Sequence, residues 1–247
     1  MKNVLTLPLA FLSLSASGAI IDNFQSDTVG EAPTDWYNAN NWTVELDPTD
    51  PTNKVLNTQS REGNQLSGIS ATIGASSTLT LQFDFYIGST SLTDLTIGMT
   101  GIADLSTASF SDFGPITRLQ NGDIRLYQGD GSGGGAYTDA DQSIDINTWY
   151  TMSMIIDNAN NTVTSTITGG AFSSPSILTS SSQSTFAFRQ DTSGNLVNFA
   201  IYGNTNNRNS SNPILIDNIS IIPEPSTYGL LLAACVLGLA LVRRHQQ

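Results

Sequence analysis

The 247-residue chain contains one cysteine and one histidine. Cys235 lies inside a C-terminal apolar run and His245 lies beyond it, so the rest of the chain forms no disulfide and must rest on its core. It also lacks the commonest general base and the commonest transition-metal ligand. Positive charge is scarce: nine Lys and Arg stand against 21 Asp and Glu, a net charge of −12. Lys2, Arg243 and Arg244 sit at the two ends, so the interval between them is more acidic than the whole. Such a surface repels phosphate backbones and anionic lipid, which argues against nucleic acid as a partner. Solubility, or attraction of divalent cations, is the remaining use of the charge. Between Ile20 and Ile222 no long stretch has helical period, and no repeat of fixed length recurs.

What is present begins at the two ends. Met1-Lys2-Asn3, an apolar stretch from Val4 to Leu14 and the small residues Ser17-Gly18-Ala19 have the layout of a signal peptide for the general secretion machinery, a helix within residues 1–19. At the other end, Pro223-Glu224-Pro225 precedes an apolar run from Tyr228 to Val242 and the basic pair Arg243-Arg244. As a helix that run spans about 22 Å, short of a hydrocarbon core about 30 Å thick. The arginines hold its end on the cytoplasmic side, which puts everything before Pro223 outside the inner membrane. This order of parts over 223–247 resembles the PEP-CTERM sorting signal. The resemblance implies recognition by an exosortase at Pro223, Glu224 and Pro225, transient residence in the inner membrane through the short helix 228–242, and release to the cell envelope or extracellular matrix. An uncleaved membrane anchor is the alternative.

The middle, residues 20–222, reads as one all-β domain. In TLTLQFDFYIG, Leu79, Leu81, Phe83, Phe85 and Ile87 share one face while Thr80, Gln82, Asp84 and Tyr86 share the other. Asn121-Gly122 between two alternating runs predicts a tight hairpin, and Asp157 to Asn161 predicts a second. Some ten such strands predict two packed antiparallel sheets, a sandwich or jelly roll. GDGSGGGAYTDAD and SSPSILTSSSQS read as loops by composition.

Three segments carry a second resemblance. IDNFQSDTVGEAPTDWYNANNWTVE, INTWYTMSMIIDNANNTVT and ILIDNISI, in that order, resemble the opening, the Trp-Tyr hairpin and the last strand of concanavalin-like lectin/glucanase jelly-roll modules. The resemblance implies a structural calcium held between Asp217 of the last strand and oxygens near Asp22 or Gln25. The residues themselves also raise a question at Asp217. Strict alternation with Leu215, Ile219 and Ile221 turns its carboxylate toward apolar neighbours, where an unpaired charge is costly. A β-bulge or backbone hydrogen bonds are the alternatives to a metal.

Catalytic patterns are thin. The Glu-x-Asp-x-x-Glu strand of retaining lectin-like glucanases is absent, and outside the sorting signal the only glutamates are Glu31, Glu45 and Glu62. No Gly-x-Ser-x-Gly elbow and no phosphate-cradling glycine loop with a lysine occur. Sugar binding asks for less, namely aromatic faces and hydrogen-bonding side chains. Trp36, Trp42, Gln82, Asp84, Tyr86, Arg125 and Tyr127 are the candidates, while Trp149, ahead of an apolar strand, is expected in the core. The expectation is a non-catalytic exported protein that contacts extracellular polysaccharide. A secreted glycan-active hydrolase or lyase and a purely structural or adhesive protein are the alternatives. Two facing carboxylates in a groove favour the enzyme; aromatics without such a pair favour binding.

Overall fold

The structure, a computed structural model, describes residues 19–40, 42–58, 65–71, 78–192, 195–203 and 213–223. The expected signal-peptide helix, the apolar helix 228–242, and the motif residues Glu224 and Pro225 lie outside the described residues. Among the described residues, no helix is long and apolar enough to cross a membrane.

Among the described residues strands account for nearly all regular structure: β1 (Ala19–Asp22), β2 (Thr43–Leu46), β3 (Lys54–Asn57), β4 (Gln65–Ser70), β5 (Thr78–Ile87), β6 (Asp94–Thr100), β7 (Phe113–Gln120) and β8 (Asp123–Gly129). They continue as β9 (Gly135–Asp139), β10 (Trp149–Asp157), β11 (Thr162–Gly169), β12 (Phe172–Ile177), β13 (Thr185–Ala187), β14 (Asn198–Gly203) and β15 (Ile214–Pro223). One 3-10 turn, Phe110–Asp112, precedes β7. The larger sheet runs β12-β11-β10-β5-β15-β3-β2, with β1 beside β15 and β13 beside β11; the smaller runs β4-β14-β6-β7-β8-β9. Every pairing is antiparallel. The architecture is a two-sheet jelly-roll sandwich.

The alternation read from the sequence makes the core. On β5, Leu79, Leu81, Phe83 and Phe85 are fully buried while Thr78, Thr80, Gln82 and Asp84 stay half-buried on the outer face. Met152, Met154 and Ile156 of β10 extend the same inner face, and Ile97, Met99, Leu119, Leu126, Phe199 and Ile201 answer from the smaller sheet. Each such side chain contributes about 2 kcal/mol by leaving water. Truncating Phe83 to alanine is a change of about 3–5 kcal/mol once the cavity is included. The hairpin turns follow from local chemistry. Asn121 and Gly122 have φ of 54° and 88°, the paired left-handed conformation of a tight hairpin. The Asp157 carboxylate accepts from Ala159 N and Asn160 N at 3.0 Å and from Asn160 Nδ2 at 2.7 Å, which closes the second turn.

Two segments read as loops are strands. β9 lies within GDGSGGGAYTDAD and β12 overlaps SSPSILTSSSQS, and each is the outermost strand of its sheet. An edge strand needs partners on one side only, so glycine, serine and even Pro175 are tolerated there and composition hides the ladder.

Candidate functional site

The two opening tryptophans are core residues, which overturns their reading as ligand contacts. Trp36 is 8% exposed and Trp42 is 1% exposed. Each packs its ring in the core, with Trp36 against Phe24, Trp42 and Phe199. These ring contacts explain the burial of side chains that sit in a Pro/Asn-rich stretch of sequence.

The remaining candidates divide between the two outer faces of the sandwich. Gln82, Asp84 and Tyr86 of β5 lie on the larger sheet, whereas Arg125 and Tyr127 of β8 lie on the smaller, so they do not form one site. Tyr86 and Tyr127, both ligand candidates by sequence, are buried. Tyr86 packs with Val55, Leu215 and Trp149 and donates its hydroxyl to Asn147 Oδ1 at 3.0 Å. Trp149, expected in the core, stands on this outer face instead. It pairs with Tyr86 across β5 and β10 and donates from Nε1 to Asp47 Oδ1 at 3.1 Å.

The larger sheet also resolves the question at Asp217. The register of β15 against β5 shifts between Asp217 and Ser220, with Asn218 at φ 49°. That bulge turns Asp217 outward beside Asp84 while Ile216, Ile219 and Ile221 stay in the core, correcting the expected inward placement. Asp217 Oδ1 accepts from Asn218 N at 2.7 Å and Oδ2 accepts from Asn53 Nδ2 at 2.9 Å. Asp84 accepts from Thr151 Oγ1 at 2.6 Å and from Asn218 Nδ2 at 2.8 Å. Burial pushes the Asp217 carboxyl up to about 6, with the Asp84 and Asp47 charges adding and the Asn53 and Asn218 bonds opposing.

The residues that the resemblance would give to calcium do not fit it. Asp22 pairs with Ile219 on the inward side of the sheet, and both of its carboxylate oxygens are engaged, by Phe24 N at 2.8 Å and Trp36 Nε1 at 2.6 Å. Gln25 presents its amide nitrogen, as a donor to Asn23 O, Asn53 Oδ1 and Lys54 O. The backbone oxygens of Gln25 and Asp27 accept from Lys54 Nζ at 2.9 and 2.6 Å. An ammonium therefore sits among the oxygens that a hard cation would need. Among the described residues no group of three or more His, Cys, Asp or Glu is arranged to hold a metal ion.

The outer face of the smaller sheet concentrates a different chemistry. Register fixes one row across it: Leu66, Tyr202, Thr96, Arg118, Arg125 and Asp139 are successive cross-strand partners. Arg118 makes two bonds to Asp94, at 2.7 and 2.5 Å, and Asp94 and its hydrogen bonds outweigh burial in raising the guanidinium pKa. Arg125 donates to Asp139 at 2.7 Å and to Gln120 at 2.8 Å. Tyr137 stands edge-on to Tyr127 at 4.7 Å, lies 5.0 Å beneath the Arg118 guanidinium and shares a 3.0 Å hydrogen bond with Thr96. Burial pushes the Tyr137 hydroxyl up to about 12. Arg189 donates to Tyr127 Oη at 2.6 Å and lies 4.3 Å from the Phe110 ring centroid. Phe110 in turn stacks on Tyr202 at 4.9 Å.

The β6–β7 loop brings Phe110 to this face. Asn198 Nδ2 donates to Ile102 O and Ala103 O, Thr100 Oγ1 donates to Asp112 O, and Ser109 N and Oγ both donate to Asp112 Oδ2. Leu105 closes over Gly68, where a Cβ would come within 3.1 Å of it. Sequence reasoning found Arg125 and Tyr127 here but missed Phe110, Arg118, Tyr137, Arg189 and Tyr202. One signal was available: a two-residue turn at Asn121-Gly122 pairs Gln120 with Asp123 and therefore Arg118 with Arg125.

No curated protein sequence matches the chain. Among solved structures, the globular domain of T. cruzi calreticulin superposes with a TM-score of 0.50 at 8% identity, covering 90% of this chain and 95% of its own. Lectin II from Ulex europaeus has a TM-score of 0.49 at 9% identity, covering 83% and 99%. A sialidase has a TM-score of 0.45 at 12% identity over 85% of this chain, which spans only 19% of the sialidase. At such identities the likeness is one of fold. Residues 222–244 match the PEP-CTERM protein-sorting motif, which marks an exported protein handled by an exosortase.

Proposed function

We propose that the sandwich is a non-catalytic, polysaccharide-binding module delivered to the cell envelope or extracellular matrix after exosortase sorting. One observation carries this reading. In a chain of net charge −12, all three described arginines, Arg118, Arg125 and Arg189, gather on one sheet face with Phe110, Tyr137 and Tyr202, over the buried Tyr127. Rings supply flat apolar area for pyranose faces, and guanidinium groups supply paired donors for hydroxyl or carboxylate oxygens. The carboxylates beside these arginines, Asp94 and Asp139, are ion-paired to Arg118 and Arg125, which supports recognition over acid-base chemistry.

Affinity electrophoresis of the full chain in detergent, through gels containing neutral and acidic polysaccharides, tests it. Retardation by at least one polymer, lost in Tyr202→Ala and reduced in Arg125→Ala, is the expected result. Unretarded migration in every gel overturns the reading.

A secreted glycan-active hydrolase or lyase is the second reading, favoured by the Asp84–Asp217 pair, in which one carboxyl is raised to about 6. Against it, Asp217 is 2% exposed and its oxygens are held by Asn53 and Asn218. Reducing-end release that is abolished by Asp84→Asn supports the enzyme.

A further inference from the structure

Beside the aromatic face the chain forms a cleft of about 270 Å³, lined by Gly101, Ile102, Asp112, Gln190, Asp191 and Thr192. The β6–β7 loop supplies the first three residues and the segment after β13 supplies the others. Both walls are tied down. Arg189 N donates to Gly114 O, Gln190 N to Phe113 O and Asp191 N to Gly131 O, while Ser109 holds the Asp112 carboxylate from the other side. The cleft adjoins the aromatic face directly. Phe110 and Asp112 belong to one 3-10 turn, and Arg189, over the rings, precedes Gln190 in the chain.

The lining has two carboxylates, a primary amide and no basic side chain. The Thr192 hydroxyl oxygen is closed off from solvent, so the polar side chains that line the cleft for a ligand are Asp112, Gln190 and Asp191, with Asp112 Oδ2 held by Ser109 and Asp191 Oδ1 accepting from Asn161 at 3.1 Å. The cleft volume equals roughly nine water molecules and lies at the small end for ligand pockets, which suits a single sugar ring and excludes a bound chain. We infer that the cleft is a subsite for one sugar unit that presents hydroxyl or ammonium donors and carries no acidic substituent.

This deepens the proposed polysaccharide contact and rests on it. A carboxylate accepts two neighbouring hydroxyls or an ammonium, whereas a uronate or sulfate placed here meets Asp112 and Asp191 with like charge. The arginine-bearing face and the acidic cleft therefore divide the polymer between them: the face receives the chain, acidic units included, and the cleft receives a neutral or amino-sugar end or branch.

Saturation-transfer NMR on the full chain in detergent tests the subsite. The probes are methyl glycosides of glucose, galactose and mannose, with glucosamine and glucuronate. At least one neutral or amino sugar is expected to bind, with glucuronate about tenfold weaker. Gln190→Leu and Asp191→Asn are each expected to weaken that binding about fivefold or more. Their melting temperatures, set beside wild type, separate lost binding from lost fold. Tyr202→Ala is expected to leave monosaccharide binding intact while polysaccharide retardation is lost, so the face and the cleft fail independently. Equal binding of glucuronate, unchanged affinity in both cleft variants, or no transfer to any probe overturns the inference.

Discussion

Trp36 and Trp42 pack edge to face with ring centroids 6.1 Å apart, yet only one of the two indoles has its N–H satisfied. Trp36 Nε1 donates to Asp22 at 2.6 Å, whereas Trp42 Nε1 is buried without a partner. Replacing either ring with phenylalanine removes similar volume. Trp36→Phe also strips a bond from a carboxyl that burial already pushes above its usual range. Trp36→Phe is therefore expected to cost about 2–3 kcal/mol, and Trp42→Phe about 1 kcal/mol less than that, because the second change also deletes an unmet donor. Urea unfolding of the two variants checks the order; a costlier Trp42→Phe contradicts it.

The Asp84–Asp217 pair predicts a pH dependence. Asp84 faces Asp217 from β5, Asp47 adds a third negative charge from the chain after β2, and Asn53 and Asn218 donate to the pair. Asp217 titrates near 6 when folded and near its ordinary 3.8 when unfolded, so the folded state binds the proton more firmly. Its contribution is fully present below about pH 4 and is lost as pH rises through about 6. Wild type is expected to lose about 2 kcal/mol through this group between pH 4 and pH 7.5, and Asp217→Asn to flatten that slope. Melting curves across the range decide; a variant as pH-sensitive as wild type sinks the assignment.

How much of this was readable follows from where side chains report on backbone. β5 announced itself because Leu79, Leu81, Phe83 and Phe85 alternate with polar residues, and the hairpin at Asn121-Gly122 because two left-handed residues demand that pair. Allocation of strands to sheets is different. β5 and β8 both show a wet face, but only long-range pairing reveals that Asp84 and Arg125 look out from opposite sides. The bulge at Asn218 was invisible for the same reason, since one extra residue preserves composition while reversing which face Asp217 occupies. Trp36 and Trp42 stood as ligand candidates because their neighbours are Asp, Asn and Pro, whereas Phe24 and Phe199 pack on Trp36 and Trp36 on Trp42.

Lys54 predicts the response to calcium. Its ammonium already joins the carbonyl oxygens of Gln25 and Asp27, so calcium or a chelator is expected to leave the melting temperature unchanged. Lys54→Met keeps the stem and removes the donor, which is expected to cost about 1–2 kcal/mol. A calcium-dependent rise of several degrees in wild type contradicts the geometry.

The end of the fold makes the last prediction. β15 pairs with β5 as far as Pro223, opposite Leu79, and the sorting motif spans 222–244. A cut after Pro223 removes the apolar tail without removing a single pairing of the final strand. Protein released by its native host is therefore expected to end near residues 223–225 by intact mass, and its sandwich to melt within about 2 °C of the full chain, because the described pairings of β15 all lie at or before Pro223. Replacing Pro223, Glu224 and Pro225 together with alanine is expected to keep the tail attached and shift the protein to the membrane fraction. A released form that retains residues 228–242 overturns the cut. A truncated form that melts far lower shows instead that the tail supports the sandwich.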